Sequence, residues 1–279
     1  MDPIHETIIS QDGYQLNIKV LPSLEDKAKG SIIYYHGGGF LAGVPDDLPN
    51  TYLNILNKQY NIIIAPYRLA PEVNLQRIIK DACQSYDLTH QLYGDLPIFV
   101  FGRSAGAYLA FQIASVKEVS GIIDFYGYAR IHVPQFLRSH AGYKKLTASI
   151  TAQLIDTMIQ PKPITSIPIQ QRYILYLYAR ANGSWFKFLG VEHSTDSSYN
   201  LTPSQLKALP PTLIVHSNQD PDVPYSESKF IEQHITQTKR ITIQSEEHDF
   251  DRTTSPSNEE IYNEVVHFLN NLSEVNDEY

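Results

Sequence analysis

The chain has 279 residues, 42% of them hydrophobic and 19% charged, with a formal net charge of −8. That is enough apolar material for one large α/β domain with a sizeable core, and it excludes a disordered chain. The acidic balance argues against a nucleic-acid surface, the lone Cys83 excludes an intramolecular disulfide, and no window approaches the roughly 18 apolar residues of a membrane span. Met1 to Ser10 lacks a basic start leading into an apolar run, so a cytoplasmic protein is the expectation. Ile4 to Ser10, the Asp12-Gly13 turn and Tyr14 to Leu21 predict a β-hairpin, with Ile8, Leu16, Ile18 and Val20 in partial alternation. Ser31 to Tyr35 reads as a short buried strand that runs straight into His36-Gly37-Gly38-Gly39-Phe40. A helix across Leu48 to Gln59 and a strand at Ile62 to Ala65 follow, the strand ending in Pro66-Tyr67-Arg68-Leu69-Ala70-Pro71-Glu72. A long helix spans Leu75 to Leu92, with Ile78, Ile79, Ala82, Cys83 and Tyr86 on one side. Strand Ile98 to Phe101 then meets Gly102-Arg103-Ser104-Ala105-Gly106 and an apolar helix, and Ser120 to Phe125 forms the next strand.

Alternating strands and helices imply a mostly parallel sheet joined by right-handed crossovers. The rhythm breaks at Tyr128. From there to Leu209 only helical patches appear, Lys144 to Ile159 and Ile169 to Ala181, interrupted by Pro161, Pro163 and Pro168. Roughly eighty residues is far beyond a normal crossover, so residues 128–209 are expected to be a helical cap inserted into a single domain of residues 1–279. The sheet resumes at Thr212 to His216 and Arg240 to Ile243, and a last helix starts at Ser257, where Ser257 and Glu260 suggest a capping box.

Chemistry gathers at three places. Ser104 sits where a strand turns into a helix, a turn that lifts Oγ to the carboxyl edge of the sheet and aims the Ala105 amide at the same spot, at the positive end of the new helix. Three consecutive glycines after a buried strand cost backbone entropy; a flexible loop is the bland reading, and the end of a sheet strand favours instead a turn whose amides face a developing oxyanion. Of ten histidines, only His248 lies in the loop between the last strand and the last helix, where an imidazole can reach back to Ser104; His216 reads as a strand-end residue and His36 as a brace for its own loop. Asp220 and Asp222 both follow the strand ending at His216, and either could orient His248 or simply build an Asp-Pro turn. No His, Cys and Asp cluster has metal-ligand spacing, so neither metal nor cofactor is expected.

HGGGF, PYRLAPE, GRSAG, DPDVP and the late His248 together resemble the hormone-sensitive-lipase-like carboxylesterases and small bacterial esterases of the α/β-hydrolase superfamily. The resemblance covers Ser31 to Gly127 and Thr212 to the C-terminus, but not the cap. It implies an α/β-hydrolase fold and a serine carboxylesterase with Ser104, Asp220 and His248 as its triad. It implies the amides of Gly38, Gly39 and Ala105 as its oxyanion hole, and it selects Asp220 over Asp222. Two residues depart from the family pattern: Asp249 follows the histidine where Gly or Ala is usual, and Arg103 precedes the serine where Asp or His is usual. The expected partner is a small ester with a short acyl chain; of Tyr173, Tyr176, Tyr178, Trp185, Phe186 and Phe188, most are expected to bury the cap against the sheet domain and some to face the serine as the pocket roof. Amide hydrolysis or acyl transfer on the same residues, and a catalytically silent fold that binds a ligand, are the alternatives.

Overall fold

The structure is a computed structural model that describes residues 2–191 and 199–276. Its strands β1 (Ile4–Ile9), β2 (Gln15–Leu21), β3 (Ser31–Tyr35), β4 (Asn61–Ile64), β5 (Ile98–Arg103), β6 (Gly121–Phe125), β7 (Thr212–Ser217) and β8 (Thr238–Ile243) form one sheet. The spatial order is β1-β2-β4-β3-β5-β6-β7-β8. The hairpin β1–β2 is antiparallel, with Ile8 opposite Leu16, and β2 joins β4 antiparallel; from β4 onward every neighbouring pair is parallel. Helices α1 (Asn50–Asn57), α2 (Leu75–Tyr93) and α3 (Ala105–Ala114) connect the first strands. Six helices among the described residues separate β6 from β7: α4 (Pro134–Leu137), α5 (Ala141–Leu146), α6 (Ala152–Thr157), α7 (Ile169–Ala181), α8 (Trp185–Phe188) and α9 (Pro203–Lys207). Then α10 (Tyr225–His234) and α11 (Pro256–Asn276) complete the chain.

The central strands are buried on both faces, which is why they read as unbroken apolar runs. Period-two geometry still divides them. Ile33, Tyr35, Val100 and Ile122 pack against α2 and α3 through Ile78, Ala82, Leu109 and Ile113. Ile32, Tyr34, Phe99, Phe101 and Ile123 face the other way, toward Tyr52 of α1 and Tyr262 of α11, whose rings stack at 4.1 Å.

Two helical expectations shift. The run from Lys144 to Ile159 is two short helices, because Thr147 Oγ1 donates back to the Tyr143 carbonyl while Thr151 Oγ1 accepts from Leu154 N and restarts the helix. The last helix is capped by Ser255 rather than Ser257: Ser255 Oγ accepts from Asn258 N, and Pro256 takes the first helical position, where its missing N–H costs nothing.

Candidate active site

β5 ends at Arg103, α3 begins at Ala105, and Ser104 makes the turn with φ 53° and ψ −118°. A positive φ in a residue with a Cβ costs on the order of 1–3 kcal/mol and must be held by its surroundings. Two contacts hold it. Ser104 N donates to Phe125 O of β6 at 2.9 Å, and α3 lies so close to β3 that a Cβ on Gly106 would come within 2.1 Å of Tyr35 O.

The glycine loop begins where β3 ends, on the same sheet edge. Gly38 has φ 101°, and a Cβ there would lie 1.9 Å from Ala42 O, so no other residue fits the turn in which Gly38 O accepts from Leu41 N and Ala42 N. His36 Nδ1 lies 2.7 Å from Gly37 O, and its ring stacks on Tyr67, whose hydroxyl donates to His36 O at 2.7 Å. A residue of PYRLAPE therefore braces the glycine loop. Among the described residues the amides of Gly38, Gly39 and Ala105 have no protein acceptor, which leaves them available to a ligand oxygen.

The β8–α11 loop brings His248 to Ser104, with Nε2 2.9 Å from Oγ. Its Nδ1 lies 2.6 Å from Asp220 Oδ2, and the Tyr126 ring meets the imidazole edge-to-face at a centroid distance of 4.9 Å. Burial alone would lower the imidazole's pKa, but the Asp220 carboxylate, with smaller help from Asp222 and Asp249, outweighs it and pushes it from 6.5 up to about 9. Burial pulls Asp220 the opposite way, and His248 and His216 overcome it to hold this carboxyl well below the usual range. The other oxygen of Asp220 accepts from the amides of Asp222 and Val223, at 2.7 and 2.9 Å.

Sequence reasoning passed over His216. Its Nε2 lies 2.9 Å from the Asp220 oxygen that faces His248, while its Nδ1 meets Ser228 Oγ at 2.5 Å. Asp220 thus sits between two imidazoles. The signal was its place at the carboxyl end of β7, the sheet edge that also carries Ser104. Asp222 faces elsewhere: its carboxylate accepts from Tyr176 OH at 2.8 Å and pairs with Arg180 at 2.7 Å, both from α7, and comes no nearer than 3.8 Å to His248 Nε2.

Above Ser104 lies a cavity of about 290 Å³, bounded by the glycine loop, Tyr126, His248, Asp222 and the start of α7 with Tyr173 and Tyr176. Of the six aromatics considered for the roof, these two line it. Trp185 is 1% exposed and donates its Nε1–H to Gly39 O at 3.0 Å, and Phe186 is buried in the same core. Both tie the inserted segment to the glycine loop or to itself. The two departures from the motif pattern also line the cavity: Asp249 pairs with Arg252, and Arg103 is engaged beneath Ser104 by Asp251 and Tyr126.

A family model described as alpha/beta hydrolase fold matches residues 32–251. The chain belongs to that family. The hydrolase match runs from β3 past His248 and so takes in all three clusters of the site. Among solved structures, a Staphylococcus aureus protein of unknown function is 40% identical, with a TM-score of 0.95 over 97% of this chain and 99% of that one. An alpha/beta hydrolase superfamily protein from Enterococcus faecalis is 25% identical, with a TM-score of 0.80 over 95% of this chain and 98% of that one. Carboxylesterase 20 of Arabidopsis thaliana is 32% identical over 106 residues, which is 33% of this chain and 32% of that protein. The matched segment therefore spans about a third of this curated relative's length. Among the described residues no group of His, Cys, Asp or Glu is arranged to hold a metal ion, and no helix is long and apolar enough to cross a membrane.

Proposed function

We propose that this hydrolase-family protein is a serine carboxylesterase acting on small esters through an acyl-enzyme. The observation that carries the reading is the unbroken line of contacts from Ser104 Oγ to His248 Nε2 at 2.9 Å and from Nδ1 to Asp220 at 2.6 Å. The amides of Gly38, Gly39 and Ala105 stand beside that line, unengaged by protein acceptors among the described residues. Ser104 Oγ attacks the ester carbonyl as its proton passes to His248 Nε2, and the carbonyl π pair moves onto oxygen, where the three amides receive it. The oxyanion collapses, the C–O bond to the alcohol breaks, and His248 returns its proton to that alcohol. Water repeats the sequence on the acyl-serine and releases the acid. Asp220 keeps the imidazolium in register and stabilises its charge without taking the proton.

The inserted helices 128–209 act as a cap in this reading. Tyr173 and Tyr176 limit the depth of a cavity of about 290 Å³, which suits a short acyl chain better than a long one. The test is Ser104→Ala, assayed on p-nitrophenyl esters of graded acyl length and with a fluorophosphonate probe. Because Ser104 contributes little packing, the variant is expected to fold normally and to lose about four powers of ten in turnover together with labelling. Turnover near wild type would overturn the proposal. Amide cleavage or transfer to an added alcohol exceeding ester hydrolysis in the wild type would move the substrate class and leave the nucleophile standing.

A further inference from the structure

Arg103 stands one residue before Ser104, and Asp251 stands three residues after His248. Both are buried, Arg103 at 5% exposure and Asp251 at 0%. Arg103 donates from Nη2 to Asp251 Oδ1 at 2.8 Å and from Nε to Tyr126 OH at 2.7 Å, while its Nη1 reaches Tyr34 OH and Asp47 Oδ2, each at 3.3 Å. Tyr126 OH in turn donates to Asp251 Oδ1 at 2.7 Å, and Tyr262 OH of α11 donates to Oδ2 at 2.6 Å.

A buried ion pair is weak evidence for stability, since removing two charges from water offsets most of what their attraction returns. What it does supply is geometry, because a guanidinium and a carboxylate pair at defined angles. Here the geometry matters. On the N-terminal side of His248, Glu246 and Glu247 are exposed, while Asp220 holds the ring itself at Nδ1. On the other side, Asp251 is pinned to the residue adjoining the serine. The same network holds Tyr126, whose backbone has a left-handed φ of 45° and whose ring packs on His248. All three guanidinium nitrogens of Arg103 donate to protein acceptors, so although Arg103 borders the cavity its donors are directed mainly into this network.

We infer that Arg103 and Asp251 are a positioning pair, which sets the His248 loop against the Ser104 turn so that Nε2 and Oγ stay in line. This inference rests on the serine-hydrolase reading above. The test compares Arg103→Lys, Asp251→Asn and the apolar double variant Arg103→Met/Asp251→Leu, with kcat and KM on p-nitrophenyl acetate, fluorophosphonate labelling rate, and the thermal midpoint. A misplacement of about 1 Å costs up to about 100-fold in rate. Both single variants are therefore expected to fold and to lose roughly 10- to 100-fold in kcat and in labelling, with KM within about twofold. The double variant is expected to recover the thermal midpoint but not kcat, an outcome that a merely structural pair would not give. Folded single variants within about threefold of wild-type kcat would overturn the inference. So would a double variant that recovers kcat along with stability, a loss confined to KM, or failure of all three proteins to fold. Ser104→Ala separates the two ideas. If it still turns over ester, the serine reading fails; if it is silent while the pair variants behave as wild type, only the positioning pair falls.

Discussion

The strongest quantitative consequence concerns the proton on His248. Its pKa, raised from 6.5 to about 9 chiefly against burial by Asp220, corresponds at about 1.4 kcal/mol per pH unit to roughly 3 kcal/mol in favour of the imidazolium. In the proposed role of base, His248 must be neutral, so kcat/KM on an uncharged ester should climb close to tenfold per pH unit from about 7 and level off near 9. Stability runs the other way. A group whose pKa is raised on folding contributes fully below its unfolded value of 6.5, and that contribution, about 3 kcal/mol, is lost as the pH rises to about 9. The perturbation is Asp220→Asn. It removes the carboxylate and leaves the burial, so the rate limb should move to lower pH while the plateau drops by about four powers of ten. The slope of stability between 6.5 and 9 should flatten in parallel. The assay is kcat/KM against pH, corrected for spontaneous hydrolysis, beside urea midpoints at the same pH values. A limb that stays at the wild-type pH in Asp220→Asn would refute the electrostatic assignment. A wild-type profile already level at about pH 7 would refute its size.

Three further outcomes are expected. His216→Phe keeps the ring volume but removes a donor to the ionised Asp220 at 2.9 Å, worth about 1.5–3 kcal/mol, so kcat should fall roughly tenfold or more in a folded protein, and an unchanged kcat would make His216 packing only. Tyr173→Ala opens the cavity and should shift the acyl profile toward longer chains, whereas Trp185→Ala, buried behind the glycine loop, should cost about 3–5 kcal/mol of stability, read as a lower urea midpoint. Asp124, wholly buried on β6 with one oxygen unpartnered, is pushed by burial up to about 7, so the stability associated with its neutral form is present below 3.8 and lost as the pH rises through about 7; Asp124→Asn should flatten that window in urea unfolding and stabilise the protein above it.

Strand and helix order, the hairpin and the long connection between β6 and β7 were legible in the chain because each depends on local periodicity and on turn chemistry. The short apolar runs at Ser31–Tyr35 and Ile98–Phe101 read as strands buried on both faces, and a serine between glycines, after one of them and before a helical pattern, read as a tight turn. The same local logic, joined to the family resemblance, singled out Ser104, His248 and Asp220, residues that the fold brings within hydrogen-bond reach of one another across separations of 144 and 28 positions. Helix ends were less legible. Ser255 and Ser257 offer equivalent hydroxyls, and the choice depended on which one Pro256 could follow into a helix. Long-range pairing was not legible at all. Nothing local to Arg103 names Asp251, nothing local to Asp222 names Tyr176 and Arg180, and His216 looked like any strand-end histidine until Asp220 folded back upon it. Which aromatic of the inserted helices faces the cavity and which faces its own core was also undecided, because a helix shows its period but not its partner. Sequence patterns encode what a residue does to its own backbone; the partners of a buried charge or ring exist only once distant strands have been laid side by side.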